Sequence, residues 1–327
     1  MNYPERRPRR LRRTAALRQI VAETTLSVDD LIAPLFVREG IDEPQPIHSL
    51  PGVVQHSVDS AVREVAELRD LGVGAVILFG VPEHKDATGS GAWDPEGVVQ
   101  VAIRRMKAEV GDSMVVIADL CVDEYTDHGH CGIVVDGEVD NDATLDLYRR
   151  IAVAQADAGA DIVAPSGMMD GQVGAIRAAL DDAGHSETAI LAYAAKYASA
   201  FYGPFRDAVD VTIADGGDRT GYQQDPRNGR EAITEIELDL AEGADMIMVK
   251  PGLPYLDIVR RVKDRFGVPT FVYQVSGEYA MQMAAVQNGW LDERATVMEV
   301  LTGIKRAGAD AILTYFALRV ARWLEDN

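Results

Sequence analysis

The sequence predicts a (β/α)8 TIM barrel, a closed ring of eight parallel strands and helices, with an extended N-terminal arm. Three observations predict it: eight short apolar runs, helical patterns between them, and a phrase that recurs where a helix ends. Eight alternating units in a chain of 327 residues fit one decorated barrel better than one small domain.

The recurring phrase is a glycine at the end of a helical pattern, followed by alanine, aspartate and an apolar run. It occurs as Ala158-Gly159-Ala160-Asp161, Glu242-Gly243-Ala244-Asp245 and Ala307-Gly308-Ala309-Asp310, with a looser copy at Leu71-Gly72-Val73-Gly74. Glycine adopts the left-handed conformation that ends many helices. An apolar run is typical of a strand buried on both faces of a parallel sheet. The phrase therefore marks the junction between a helix and the next strand.

The apolar runs cover residues 31–37, 75–80, 114–120, 161–166, 189–195, 246–249, 270–276 and 311–315. Helical patterns between them include 61–71, 145–158, 231–241, 256–266 and 296–307. The alternative is an open doubly wound sheet, which usually carries a glycine fingerprint after its first strand. The cluster Gly89-Ser90-Gly91 lacks that spacing, and we predict that it is a flexible loop.

The domain organisation follows from this pattern. We predict an N-terminal arm over residues 1–30 and a single catalytic barrel over 31–327, because no linker or composition break divides the chain. The segment around 197–230 is longer than a barrel connection requires. Loops of that length in compact domains are usually lids or binding loops, so we predict an active-site lid there.

Composition excludes several classes of protein. The formal net charge is −20 at pH 7, which argues against nucleic-acid binding. No apolar run reaches the length of a membrane span. The N-terminal segment lacks the apolar block of a secretory signal peptide, so we expect a cytoplasmic location.

The arm is basic although the rest of the chain is acidic. It contains six arginines, Arg6, Arg7, Arg9, Arg10, Arg12 and Arg13. A basic arm can bind nucleic acid or serve as a targeting signal. We favour a third role, in which the arm docks on the acidic surface of a neighbouring subunit.

Two lysines follow directly after predicted strands. Catalytic side chains of a TIM barrel lie at the C-terminal ends of its strands. Those ends here carry Asp119, Ser166, Lys196, Lys250, Ser276 and Tyr315. Burial and a second ammonium nearby both lower the pKa of a lysine, and the neutral amine can attack a carbonyl. The pair indicates a Schiff-base enzyme; the alternative is two exposed or salt-bridged lysines.

Arginines and cysteines supply two further signals. Arg206 and Arg219 lie in the long segment after Lys196, and their planar guanidinium groups suit a substrate carboxylate. Alternatively they are solvent-facing charges on a mobile loop. Cys121 and Cys131 are too few for a disulfide framework and lie in a segment rich in Asp and His, which favours metal binding over two inert thiols.

Several long strings occur together in one order. They are APSGMMDG from Ala164, YAAKYASAFYGPFR from Tyr193, MIMVKPG from Met246, VYQVSGEY from Val272 and ILTYF from Ile312, together with the arginine-rich arm. In these strings the chain resembles the porphobilinogen synthase family, also called 5-aminolaevulinate dehydratase, from about residue 8 to 320. The resemblance implies that two 5-aminolaevulinate molecules are condensed to porphobilinogen with loss of two waters, early in tetrapyrrole (haem) biosynthesis. It also implies a homo-oligomer, an octamer.

The resemblance assigns roles to the strand-end residues. Lys250 is expected to form an imine with the first-bound substrate and Lys196 with the second. Asp119 is expected to assist proton transfers near the reacting carbons.

The same resemblance assigns the two substrate carboxylates. Ser276 and Tyr315 are expected to hold the carboxylate of the first substrate. Arg206, Arg219 and Gln223 are expected to hold that of the second.

The segment 119–132 resembles the family's metal loop with one departure. Zinc-using relatives have three cysteines there, whereas this chain has Cys121, Asp123 and Cys131. A carboxylate oxygen can replace a thiolate on zinc, although the mixed set should bind zinc less tightly. The alternative is a loop that closes without metal. We expect His128 and His130 to form hydrogen bonds rather than bind the metal.

Glu231 is a candidate for a second, allosteric site. Relatives that respond to magnesium have a glutamate at this position near a subunit contact, and one carboxylate plus waters commonly holds this ion. The alternative is a carboxylate that stabilises the start of a helix.

Two other functions remain open. Another imine-forming barrel, such as a class I aldolase, is one, but two lysines and two arginines favour the joining of two similar acids. An inactive structural barrel is the other, and it should have lost a lysine.

Overall fold

The computed structural model describes residues 2–214 and 217–326. Its strands are β1 (Leu31–Arg38), β2 (Gln45–Pro46), β3 (Val54–His56), β4 (Ala75–Val81), β5 (Val115–Leu120), β6 (Ile133–Val135), β7 (Glu138–Asp140), β8 (Ile162–Pro165), β9 (Ala189–Lys196), β10 (Met246–Lys250), β11 (Thr270–Gln274) and β12 (Ala311–Thr314). Strands β1, β4, β5, β8, β9, β10, β11 and β12 pair in parallel in that order, and β12 pairs with β1. The ring is therefore closed, which confirms the predicted TIM barrel and excludes the open sheet.

The α-helices form the outer layer. They are α1 (Ala15–Ile20), α2 (Val58–Asp70), α3 (Val98–Val110), α4 (Asn141–Asp157), α5 (Gln172–Asp182), α6 (Gly203–Ala208), α7 (Glu231–Glu242), α8 (Leu256–Phe266), α9 (Ser276–Gln287), α10 (Glu293–Ala307) and α11 (Ala317–Glu325). Helix α8 shows why they pack on the barrel: Ile258, Val259 and Val262 are buried, while Arg260 and Arg261 are exposed. This apolar stripe at helical spacing matches the apolar outer face of the strands.

The recurring phrase marks the junctions as predicted. Its glycines all have positive φ, from +83° at Gly72 to +126° at Gly308. The aspartate of the phrase has a role that the pattern did not indicate. Asp161, Asp245 and Asp310 each accept a hydrogen bond from a backbone N–H at the start of the preceding barrel strand, at 2.7, 2.8 and 2.7 Å. The phrase therefore joins neighbouring units as well as ending a helix.

Two local predictions were wrong. The strand predicted over 270–276 ends at Gln274, and Ser276 begins helix α9. The Glu278 carboxylate accepts the backbone N–H of Val275 at 2.7 Å, which favours a helix start over further strand. The predicted flexible loop at 89–91 leads into a 3-10 helix over Ser90–Trp93, because the Asp86 carboxylate accepts backbone N–H groups of the segment.

The segment after β9 is folded in its described parts. It contains a 3-10 helix, Ala200–Tyr202, and helix α6, whereas residues 215–216 of the predicted lid lie outside the described residues. Its two ends meet at the barrel, since Gln224 donates its backbone N–H to the carbonyl oxygen of Lys196 at 3.1 Å. The segment is therefore held beside the C-terminal ends of β9 and β10.

The arm, described from residue 2, lies outside the core. It contains a 3-10 helix, Pro8–Arg12, and helix α1, and neither of these helices has a buried residue. Among residues 2–214 and 217–326, no helix combines the length and apolar character needed to span a membrane.

Candidate active site

A cavity of about 660 Å³ lies at the C-terminal ends of the barrel strands. Its lining brings together most of the predicted site residues, namely Asp119, Asp123, Lys196, Arg206, Arg219, Gln223 and Lys250. Residues far apart in the chain meet here because parallel strands all end at the same edge of the barrel.

Lys196 and Lys250 are the last residues of neighbouring strands. They are direct partners in the register of β9 and β10, and both residues are buried, with 4% and 5% of their surface exposed. The Lys196 amine donates a hydrogen bond to the backbone oxygen of Ser166 at 2.5 Å. The two amines therefore share one cavity and are held by different surroundings.

Aromatic rings surround the Lys250 amine. Its nitrogen lies 4.5 Å from the ring centroid of Tyr273, 5.1 Å from those of Tyr193 and Phe205, and 5.3 Å from that of Tyr202. It forms no hydrogen bond with the residues that the structure describes. The sequence analysis did not identify this enclosure, although Tyr193, Tyr202 and Phe205 lie in the string around Lys196.

The enclosure changes the ionisation of Lys250. Burial, and then the charge of Lys196, lower its pKa to about 7. A lysine at its usual pKa is almost fully protonated at neutral pH and is a poor nucleophile. A substantial fraction of Lys250 is therefore a neutral amine near pH 7.

Asp119 lies at the end of β5, within reach of Ser166. The Ser166 hydroxyl donates a hydrogen bond to Asp119 Oδ2 at 2.9 Å, and Oδ1 has no hydrogen-bond partner among the described residues. Burial raises the pKa of Asp119 to about 6, against the opposing charges of Lys250 and Lys196. This carboxyl group can thus both accept and release a proton close to neutral pH.

Glu124 is a cavity residue to which the sequence analysis gave no role. It is buried and lines the cavity with both lysines. Burial and the charges of Asp123 and Asp119 raise its pKa well above the usual value. Its position directly after Asp123 in the metal-loop segment was the available signal, but burial of a carboxyl group cannot be read from a loop sequence.

The other side of the cavity carries donors for a carboxylate. Arg219 Nε and Gln223 Nε2 are buried and have no hydrogen-bond partner among the described residues. Arg206 lines the same cavity and forms no ion pair with any residue that the structure describes. Buried donors without partners cost free energy, so they indicate a place where a ligand supplies the acceptor.

Ser276 and Tyr315 are not in the wall of this cavity. The Ser276 hydroxyl donates to the backbone oxygen of Phe201 at 3.2 Å, and the hydroxyls of Tyr315 and Tyr273 lie 2.9 Å apart. Tyr273 also contacts Lys250, so this pair lies behind one of the rings that enclose the amine. Phe201 belongs to the lid, and its carbonyl occupies the Ser276 hydroxyl.

Cys121, Asp123 and Cys131 form a cluster that fits a metal ion. One donor atom of each lies within 4.8 Å of the others, and all three residues are buried. Although burial raises the pKa of Cys131, its hydrogen bond with Cys121 and the charge of Arg219 lower it below its usual value. Two thiols and a carboxylate are donors that zinc accepts, with a fourth position left for water or substrate.

The loop histidines form hydrogen bonds. His128 Nε2 lies 3.2 Å from the backbone oxygen of Ala87, and His130 Nδ1 lies 3.2 Å from the Tyr222 hydroxyl. Neither belongs to the three-residue donor cluster.

Glu231 is the first residue of α7 and lies outside the main cavity. It accepts a hydrogen bond from Asn228 Nδ2 at 3.0 Å. It lines an adjoining cavity of about 860 Å³ together with further carboxylates, those of Glu138, Asp170, Asp218, Asp225 and Glu235.

Comparison with known proteins agrees with this geometry. The family model of delta-aminolevulinic acid dehydratase matches residues 5–323. Proteins of that name from Mycobacterium tuberculosis (strain CDC 1551 / Oshkosh) and Streptomyces coelicolor are each 57% identical over 326 residues, 99% of this chain and 98% of the relative. A crystal structure of delta-aminolevulinic acid dehydratase (porphobilinogen synthase) from Toxoplasma gondii ME49, in complex with its reaction product porphobilinogen, is 45% identical with a TM-score of 0.96. It covers 98% of this chain and 92% of that one.

Proposed function

The chain belongs to the delta-aminolevulinic acid dehydratase (porphobilinogen synthase) family, a family of lyases, and we propose that it condenses two molecules of 5-aminolaevulinate into porphobilinogen through imines on Lys196 and Lys250. The observation that carries the proposal is the placement of two buried lysines as register partners in one cavity. The reaction would be an early step of tetrapyrrole (haem) biosynthesis.

Lys250 would react as the neutral amine. Its nitrogen adds to the ketone of the first substrate and water leaves, which gives an imine. Lys196 forms the second imine in the same way, so the two imines account for the two waters of the overall reaction. Both lysines are released when the substrate amine closes the ring.

Asp119 would move protons at the reacting carbons. An imine acidifies the adjacent carbon, and removal of its proton allows the new C–C bond to form. The Asp119 carboxylate has one oxygen without a partner and a pKa near 6, which suits a group that takes up and returns a proton.

Two carboxylate sites would hold the substrates in register. Arg206, Arg219 and Gln223 would bind the carboxylate of the second substrate, supported by the unpartnered donors of Arg219 and Gln223. Ser276 and Tyr315 would bind that of the first, which requires the Phe201 carbonyl to leave the Ser276 hydroxyl. Holding both molecules in place converts a bimolecular reaction into an intramolecular one.

Zinc would be held by Cys121, Asp123 and Cys131, and Mg²⁺ by Glu231 as an allosteric ion. Zinc, when bound, supplies positive charge that polarises a substrate oxygen. The donor cluster supports the first assignment, and the acidic lining of the adjoining cavity supports the second.

The assembly would be a homo-octamer in the cytoplasm. The arm supports self-association because its helices bury no residue of their own, and Leu11 and Ile20 are exposed. Six arginines on such an arm complement the acidic barrel of a neighbouring copy.

Borohydride trapping tests the proposed chemistry. Reduction in the presence of labelled 5-aminolaevulinate should attach label at Lys250 in the wild type. Lys250→Ala should lose product formation and that label, and Lys196→Ala should retain a trace of activity at most. Lys305→Met, which alters a lysine outside the cavity, is the control. Wild-type labelling of the Lys250→Ala protein would refute the assignment.

A further inference from the structure

A single buried ion pair connects the proposed metal site to the proposed carboxylate site. Arg219 Nη2 lies 2.7 Å from Asp123 Oδ2, with 11% and 5% of the two side chains exposed. Asp123 is one of the three donors of the metal cluster, and Arg219 is one of the donors for the substrate carboxylate. Each residue is therefore engaged by the other when neither ligand is bound.

The remaining contacts of Arg219 strengthen this connection. Its Nη2 also donates to the backbone oxygen of Gly129 at 2.8 Å, which lies in the loop between Asp123 and Cys131. Its Nε is buried without a hydrogen-bond partner among the described residues. The guanidinium thus binds the metal loop through one nitrogen and keeps another available for a ligand.

Electrostatics determines how the two sites affect each other. In a buried site, a cation at the donor cluster draws on the charge of Asp123 and repels the guanidinium beside it. A substrate carboxylate at Arg219 replaces Asp123 as the counterion of the arginine. Either ligand therefore removes the residue that competes with the other ligand.

Resting on the proposed function, we infer that Asp123 and Arg219 couple the two sites, so that a carboxylate at Arg219 and zinc at Cys121, Asp123 and Cys131 strengthen each other's binding. The coupling is reciprocal by thermodynamic necessity. It belongs to the carboxylate at position 123, because a cysteine there lacks the two oxygens that pair with the guanidinium.

A different arrangement predicts the opposite sign. If the Asp123 carboxylate bridges the metal and Arg219, the arginine orients a metal ligand. Loss of such a supporting partner typically weakens metal binding about 10–100-fold. The sign of the effect of Arg219 on zinc affinity therefore separates the two arrangements.

The test is a zinc titration against a competing chromophoric indicator, with and without laevulinate. This probe has the ketone and carboxylate of 5-aminolaevulinate but lacks its amino group. Laevulinate should tighten zinc binding to the wild type by about tenfold, within the usual range of coupling between sites. In Asp123→Cys, laevulinate should leave zinc affinity unchanged.

Two arginine variants complete the design. Without laevulinate, Arg219→Met should bind zinc more tightly than the wild type, because Asp123 has lost its competing partner. Arg206→Met removes a cavity arginine that has no contact with Asp123, and its zinc affinity should equal that of the wild type. If Arg219→Met fails to fold, the wild-type titration with laevulinate still decides the question.

Three results would overturn the inference. They are an unchanged or weaker zinc affinity of the wild type with laevulinate, weaker zinc binding by Arg219→Met, and no zinc uptake by the wild type. None of them affects the condensation chemistry, which borohydride labelling at Lys250 decides separately.

Discussion

Lys196 and Lys250 are direct register partners on the neighbouring parallel strands β9 and β10, so the last residue of each strand places its amine in the same cavity. Two ammonium groups in one buried site disfavour each other. The arrangement makes one of the two amines the easier to deprotonate, and that amine is Lys250, whose aromatic surroundings supply no hydrogen bond from the described residues.

The first prediction concerns pH. Because only the neutral amine attacks a ketone, imine formation at Lys250 should increase as pH rises through about 7, its lowered pKa. Lys196→Met removes a positive charge that lowers this pKa, so the midpoint should move to higher pH. The measurement is the rate of borohydride-trapped labelling at Lys250 between pH 5 and 9, taken as approximate limits around that pKa. A midpoint that stays at the wild-type pH in Lys196→Met would contradict the charge coupling.

The second prediction concerns Asp123. Asp123→Cys should tighten zinc binding because a thiolate replaces a harder oxygen donor. Asp123→Ala should weaken it and reduce activity that added zinc partly restores. Asp127→Ala alters an exposed carboxylate of the same loop and should match the wild type. Indicator titration measures all four proteins, and equal, negligible zinc uptake by the wild type and Asp123→Ala would exclude a zinc site here.

The third prediction concerns the arm. Removal of residues 1–25 should give smaller species by light scattering, because the arm would no longer bind a neighbouring subunit. Replacing its six arginines with serine should have a similar effect, whereas lysine at those positions should preserve the assembly if charge is what matters. An unchanged mass after truncation would show that the arm does not hold the oligomer together.

The fourth prediction concerns the aspartates that join neighbouring barrel units. Asp245→Ala should lower the free energy of unfolding by about 1–3 kcal/mol, because the backbone N–H of Ile190 loses its acceptor. Asp182→Ala removes an exposed carboxylate and should change it by less than about 0.5 kcal/mol. Chemical denaturation compares them. Equal effects of the two variants would mean that the Asp245 hydrogen bond adds nothing to stability.

The barrel could be predicted from sequence because its signals are local. Apolar runs, helical stripes and helix-ending glycines such as Gly243 each depend on neighbouring residues, and their repetition indicates the fold. Once the strands are assigned, the shared edge of parallel strands brings Lys196 and Lys250 together. Ser276 was misplaced by this logic because the hydrogen bond from Val275 to Glu278, which starts α9, competes with strand extension.

Sequence alone therefore determined the closed barrel, the two strand-end lysines and, through resemblance, the family. The tertiary structure decided what surrounds those residues: the aromatic rings around Lys250, the burial of Glu124, and the pairing of Asp123 with Arg219. The physical reason is that burial and ion pairing depend on atoms contributed by distant segments. A residue's pattern shows which strand it ends, whereas its pKa and its partners depend on the segments that fold against it.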